Sequence, residues 1–297
     1  MKHSLRKAIS LFSYYNRVYL IIGILLNKLR ISKLLALKPL FQLCNQYVRI
    51  IESNVELVRF RRGILIANYS IQGKKFCFGI REFTSDINVF ETVILQDEYE
   101  IAIKHFSQQK KQPSLIIDAG ANVGFTTILF HAYFPNAKIA VIEPNGENLV
   151  QLQFNMNLNQ IQQVEIFSNA LWVHKDSLEM HNNFRDGKHW SVSVQPLSSV
   201  NLNSLDVVDG VTLEDVWERM GKQPIDLLKM DIEGAERFLF ESENFCHVMQ
   251  GIVKNIVIEI HDEYDVRPII YQQMKKNGYF HLESINVDFF FKPEYSA

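Results

Sequence analysis

The sequence predicts a doubly wound α/β fold, a mostly parallel sheet covered by helices, with an N-terminal helical/β extension. Three observations carry this. From residue 114 onward, short apolar runs alternate with helical patterns; those runs end in polar or acidic residues; and the chain before about residue 80 alternates with period two between glycine marks.

The elements follow in order. Residues 1–57 read as a basic N-terminal helical extension. "VRFRRGILIANYSIQGKKFCFGI" (58–80) reads as short antiparallel strands turning at Gly63 and Gly73, opening a small β/helix platform over 58–110. The core domain is expected over 111–297. In it "SLIID" (114–118) is a buried strand, "FTTILFHAYFP" (125–135) a helix stopped by Pro135, and "KIAVIEP" (138–144) the next strand. "GENLVQLQFNMNLN" (146–159) is a helix with Leu149, Leu152, Met156 and Asn159 on one side, and "VEIFSNALW" (164–172) a third strand. "IDLLKMD" (225–231) and "NIVIEIHD" (255–262) are the fourth and fifth strands, and "HLESINVDFFF" (281–291) supplies edge strands. Such a sheet binds its ligand at the carboxyl ends of its strands.

Composition narrows the function classes. With 47% hydrophobic and 22% charged residues, the 297-residue chain is globular and can bury a sizeable core. Cys44, Cys77 and Cys246 share no disulfide or zinc spacing, which fits a reducing, cytoplasmic setting. Nine of the 31 lysines and arginines precede Glu52, the first acidic residue, so the rest carries 22 cations against 33 acids. No nucleic-acid partner is expected of so acidic a body. The apolar run "VYLIIGILL" (18–26) is nine residues long, whereas a spanning helix needs roughly 20. Asn27, Lys28 and Leu29 follow it where a signal sequence would place small residues. Two readings of the leader stay open: amphipathic helices packed on the body, or a peripheral contact with anionic membrane. An acid-free N-terminus also suits a transit peptide.

The core opens on "LIIDAGANVGFTTILF" (115–130), where Asp118 precedes the turn Gly120, Ala121, Asn122 and Gly124. Glycine allows positive φ and close ligand approach, and asparagine tolerates the same geometry. A dinucleotide fingerprint GxGxxG would rest pyrophosphate on this turn. Here Asn122 replaces the second glycine, Phe125 and Thr126 stand where the third would come, and Asp118 would repel phosphate. A cationic ligand without phosphate suits the turn better, and S-adenosyl-L-methionine is one, with its sulfonium and amino groups. Glu143 ends the second strand, the place from which a carboxylate accepts hydrogen bonds from ribose hydroxyls.

"IIDAGANVGFTTILF", "IAVIEPNGENLVQLQFNMNLN", "NALW", "IDLLKMDIEGAE" and "IVIEIHD" resemble, in order and spacing, the FkbM family of S-adenosylmethionine-dependent methyltransferases, and "REFTSDINVFETVILQDEYE" (81–100) is similar to that family's upstream segment. The resemblance spans about 81–283. It implies a class I methyltransferase (Rossmann-like) fold and methyl transfer to oxygen, on a hydroxyl of a saccharide, glycoconjugate or natural product. It also implies that Asp118, Gly120 and Asn122 line the cofactor, that Glu143 holds the ribose, that Asn169 and Ala170 border the adenine, and that Asp231 lies beside the methyl donor.

An alcohol acceptor must lose a proton, and the strand ends offer bases. "DIEGAE" places Asp231 at a strand end with Glu233 and Glu236 just beyond, Glu236 reading as a helix-cap partner. "EIHD" places Glu259 and His261 on one face in period two, and the ordinary His pKa lies near neutrality. The catalytic candidates are therefore Asp231, His261, Glu259 and Glu233. The same oxygen-rich set suits magnesium or calcium, but no spacing enforces a cation and none is expected. Upstream, Arg81, Asp86, Glu98 and Tyr99 either close over the site or form a solvated helix face. His174, His181, His189 and Trp190 fall in a hairpin excursion (173–196), where Trp190 either stacks on a sugar ring or anchors the hairpin. The alternatives are a catalytically silent S-adenosylmethionine-binding scaffold and, against the turn chemistry, a nicotinamide-dependent oxidoreductase.

Overall fold

A computed structural model describes residues 3–28, 38–61, 63–181, 193–196 and 207–293. The chain divides into two compact units, Met1–Glu91 and Thr92–Ala297.

The first unit begins with three helices, α1 (His3–Ser10), α2 (Tyr14–Lys28) and α3 (Lys38–Glu52). Next comes an antiparallel meander of β1 (Glu56–Arg61), β2 (Ile64–Ile71) and β3 (Lys74–Arg81), then the short α4 (Asp86–Phe90). The two glycine turns fall where the sequence marks them: Gly63 and Gly73 adopt φ of +81° and +74°. Arg59 holds this unit together, its guanidinium reaching both Glu82 oxygens at 2.7 Å while Nε donates to the Leu11 carbonyl at 2.6 Å. Arg81 and Asp86 form a second clasp, with Nη2 2.8 Å from the buried carboxylate.

A π-helical turn (Glu91–Leu95) starts on the last residue of the first unit, and the second unit continues with α5 (Glu100–Gln108), β4 (Leu115–Ala119), α6 (Phe125–Tyr133), β5 (Lys138–Ile142), α7 (Gly146–Leu158) and β6 (Val164–Phe167). β7 (Ala170–Leu171), β8 (Ser177–His181), β9 (Ser193–Pro196) and β10 (Val207–Val211) build a small side sheet. α8 (Leu213–Arg219), β11 (Leu227–Met230), α9 (Glu236–Glu241), α10 (Glu243–Ile252), β12 (Asn255–Ile258), α11 (Arg267–Lys276), β13 (Phe280–Glu283) and β14 (Asp288–Phe291) complete it.

The main sheet runs β13-β14-β12-β11-β4-β5-β6, parallel except for β14, which is antiparallel to both neighbours. The strand order reverses at β4, so the crevice for a ligand opens between the ends of β4 and β11. Period-two alternation sends Leu115, Ile117 and Ala119 into a core shared with Leu239, Phe240, Met249 and Ile270 of α9, α10 and α11. Ile116 and Asp118 point to the other face.

The run 164–172, expected as one strand, is two. β6 pairs with β5, whereas β7 leaves the main sheet to pair with β10, and Asn169 at the bend donates its amide to the Asp209 carbonyl at 3.1 Å. The buried side of α7 also differs from expectation. It carries Asn148, Gln151 and Asn155 beside Leu152 and Met156, and two of these amides reach back to the site, Asn148 to Glu143 and Asn155 to the Val123 carbonyl. Among the described residues no helix is long and apolar enough to cross a membrane. His189 and Trp190 lie outside the described residues.

Candidate active site

The turn after β4 is closed from behind. The Gly120 and Ala121 amides donate to the Ile142 carbonyl at 2.9 and 3.2 Å, and the Gly124 amide donates to the Ala121 carbonyl at 2.8 Å. Three residues take left-handed φ: Gly120 at +75°, Asn122 at +51° and Gly124 at +82°. At Gly120 a Cβ would stand 1.7 Å from the Asp231 carbonyl oxygen, so only glycine lets β4 and β11 approach so closely at their ends. The Asn155 side-chain amide of α7 donates to the Val123 carbonyl at 2.7 Å, tying the turn to the next helix.

Glu143, buried at the end of β5, accepts from the Asn122 amide at 2.8 Å and the Asn145 amide at 2.9 Å. The Asn148 side-chain amide stands 3.4 Å from the same carboxylate. Burial raises its pKa, and these donors oppose the rise. In front lies an open cleft. Gly120, Asn122, Glu143 and Asn148 form one polar wall, Ile142, Pro144, Ala170, Leu171 and Val194 an apolar one, and Asp231, Ile232 and Glu233 the far side.

Asp118 does not line this cleft. It is fully buried on the α6 face, where Thr127 Oγ1 donates to it at 2.7 Å and Lys229 Nζ stands 3.3 Å away. The parallel register pairs Asp118 with Lys229 side by side, so the carboxylate expected to face a cationic ligand faces a buried ammonium instead. Lys229 also donates to the Gly120 carbonyl at 2.8 Å, and nearby carboxylates outweigh the burial that would lower its pKa. Ala121, Gly124, Asn169, Glu259 and His261 likewise stand outside the lining. Gly124 packs against Leu152 and Met156, and the Asn169 amide is engaged with the side sheet.

Beyond β11 the chain makes a sharp turn, with Glu233 at φ +53° and Gly234 at +89°. Fully buried Glu236 governs it: Oε1 accepts from the Ile232 amide and from His261 Nδ1, both at 3.1 Å. His261 Nε2 is 3.5 Å from Glu233 and 4.0 Å from Asp231. Burial alone would lower the His261 pKa, but Glu236, Glu233 and Asp231 push it up to about 11. The enclosing carboxylates bias His261 toward the imidazolium, which disfavours the free base anticipated there. The register that pairs Met230 with Ile258 sets Asp231 beside Glu259, whose pKa burial and the neighbouring Asp231 charge push up to about 8. Glu98 joins this group, pushed up to about 7 by burial and by Asp231. Of the upstream candidates, Tyr99 is buried against Phe130, while Arg81 and Asp86 occupy each other in the first unit.

Among the described residues, Asp231, Glu233 and His261 place ligand atoms within 4.8 Å of one another, a set able to hold a divalent cation. Sequence reasoning missed Lys229, Asn148 and Asn155. A lysine inside the run "IDLLKMD" is the one signal that could have found the first, because a charge in a buried strand requires a partner.

A glycine turn at the switch point, a carboxylate at the end of the second strand and this strand order define a class I methyltransferase, which uses S-adenosyl-L-methionine. Residues 118–280, more than half of the chain, match the Methyltransferase FkbM domain, and the chain belongs to that family. It is 24% identical over 193 residues to the 2-O-methyltransferase NoeI of Sinorhizobium fredii, covering 61% of this chain and 74% of that protein. It is 26% identical over 203 residues to Methyltransferase 1 of Beauveria bassiana, covering 61% and 81%. Among solved structures, a putative caffeoyl-CoA O-methyltransferase from Staphylococcus aureus aligns with a TM-score of 0.42 at 10% identity, covering 69% of this chain and 91% of that one. The cleft suits the cofactor. Gly120 presents bare backbone, Glu143 keeps acceptor capacity for a diol, and the Ile142, Pro144 and Leu171 wall suits a flat base.

Proposed function

We propose that the protein methylates a hydroxyl oxygen of a neutral saccharide, glycoconjugate or small natural product. The observation carrying this reading is the carboxylate group at the ends of β11 and β12, where Asp231 and Glu233 line the cleft and the strand register sets Glu259 beside Asp231. The cofactor, when bound, supplies a methyl group already activated on a sulfonium. The chain then has to orient the acceptor and receive its proton. In this reading Glu143 takes the ribose hydroxyls, Ala170 borders the adenine, and Asp231 and Glu233 accept hydrogen bonds from the acceptor's hydroxyls. Glu259, outside the lining but beside Asp231, receives the proton by way of Asp231. His261 holds Glu233 and Asp231 in place from behind through its own charge, with Glu236 fixing the ring. So many carboxylates repel an anionic acceptor and welcome a hydroxyl donor. The Sinorhizobium relative is a 2-O-methyltransferase, which agrees with oxygen as the target.

The test is transfer of isotopically labelled methyl to a panel of neutral sugars and their uronate counterparts. The reading expects labelled O-methyl product from neutral members, with the uronates poorer. Equal transfer to both, or product methylated only on nitrogen, contradicts it.

A further inference from the structure

Helix α2 leaves an unusual face uncovered. Tyr14 and Tyr15 are each 75% exposed, Tyr19 53%, Ile21 47%, Ile22 45% and Val18 37%. At 100° per residue these six fall on one continuous arc of about 160°, while Leu20 and Gly23 on the opposite side are buried. A monomer rarely leaves a stripe of that width in water without a partner.

The charge of the segment that carries it selects the partner. Residues 1–51 hold nine lysines and arginines and no acid. Arg6 on α1 is exposed, and Arg17 at the edge of the arc donates to the Ser10 and Phe12 carbonyls. An aromatic and branched apolar face on an acid-free segment matches the boundary of an anionic bilayer, where tyrosine rings sit at headgroup depth and basic side chains meet lipid phosphate. Over its 15 described residues the helix is about 22 Å long, and no helix among the described residues is long and apolar enough to cross a membrane. Docking would therefore be in the interface plane, along the exposed arc.

We propose that the exposed face of α2 docks the protein on an anionic lipid surface. This goes beyond the methyl-transfer reading and stands without it. The experiment is sedimentation of the full chain with vesicles of phosphatidylcholine alone and of phosphatidylcholine mixed with phosphatidylglycerol. The expected result is about tenfold or stronger binding to the mixed vesicles, weakened by added salt. It should be lost in the triple variant Tyr14→Ser, Tyr15→Ser, Ile22→Ser, whose melting temperature and S-adenosylhomocysteine binding stay at wild-type values. Equal or absent binding to both vesicles overturns the proposal, as does undiminished binding by the variant. A lipid-free dimer that the same substitutions dissociate also overturns it, by assigning the face to a second copy.

Discussion

Asp118 and Lys229 lie side by side on adjacent parallel strands, carboxylate to ammonium at 3.3 Å, both sealed from solvent. This pair sits directly beneath the glycine turn, and Lys229 extends it by donating to the Gly120 carbonyl. Its work is to fix the ends of β4 and β11 against each other.

Lys229→Met therefore leaves the buried Asp118 carboxyl without its ammonium partner. Denaturant unfolding is expected to register a loss of about 3–5 kcal/mol. Adding Asp118→Asn should recover much of it, and a single variant as stable as wild type would deny the pair its structural role.

Gly120→Ala adds a carbon where the Asp231 carbonyl already stands, at a φ of +75°. Left-handed strain alone costs about 1–3 kcal/mol, and the clash must be relieved by parting β4 from β11. Loss of S-adenosylhomocysteine binding with a lowered melting temperature is expected. Gly73→Ala, at φ +74° but with nothing within 4 Å, is the control and should bear the strain alone.

The Glu259 carboxyl, pushed up to about 8, accepts a proton only when ionised. The kcat/KM for methyl transfer should accordingly rise with pH through about 8 and fall away on the acid side. Glu259→Gln should lower it about 10²-fold or more and remove that inflection. A pH profile unchanged by the substitution would move the base elsewhere, with Glu98 next to test.

His261 gains its proton partner on folding, and its pKa rises from 6.5 to about 11. A raised pKa contributes stability that is complete below the unfolded value and is lost as pH climbs through the folded one. The melting-temperature gap between wild type and His261→Gln should thus be full at about pH 6.5 and close progressively as pH climbs to about 11. A constant gap would mean the ring is neutral in the folded protein.

Much of this was legible beforehand. The strands around Asp118, Glu143, Asp231 and Glu259 announce themselves because a buried parallel strand must be apolar until it reaches the ligand edge. The glycine turn is equally plain, since few residues tolerate its φ values. Direction was not legible. Period two places Asp118 on a face but does not say whether that face meets ligand or helix, and only the register with Lys229 decides it. Likewise, the ordinary pKa of a histidine says little about one enclosed by Glu233, Glu236 and Asp231, which the chain brings together from two strand ends. The polar side of α7 was hidden for a related reason: Asn148 and Asn155 look like solvent-facing residues until the loops they hold are in place.

The central claim is that Glu143 anchors the cofactor at the mouth of the glycine turn, with chemistry assigned to the separate carboxylates beyond it. Calorimetric titration of S-adenosylhomocysteine into wild type, Glu143→Ala and Glu259→Gln tests it directly. The account predicts binding by wild type, at least about tenfold weaker binding by Glu143→Ala, the loss expected of about 1.4 kcal/mol or more, and wild-type affinity in Glu259→Gln. Undiminished affinity in Glu143→Ala would contradict it.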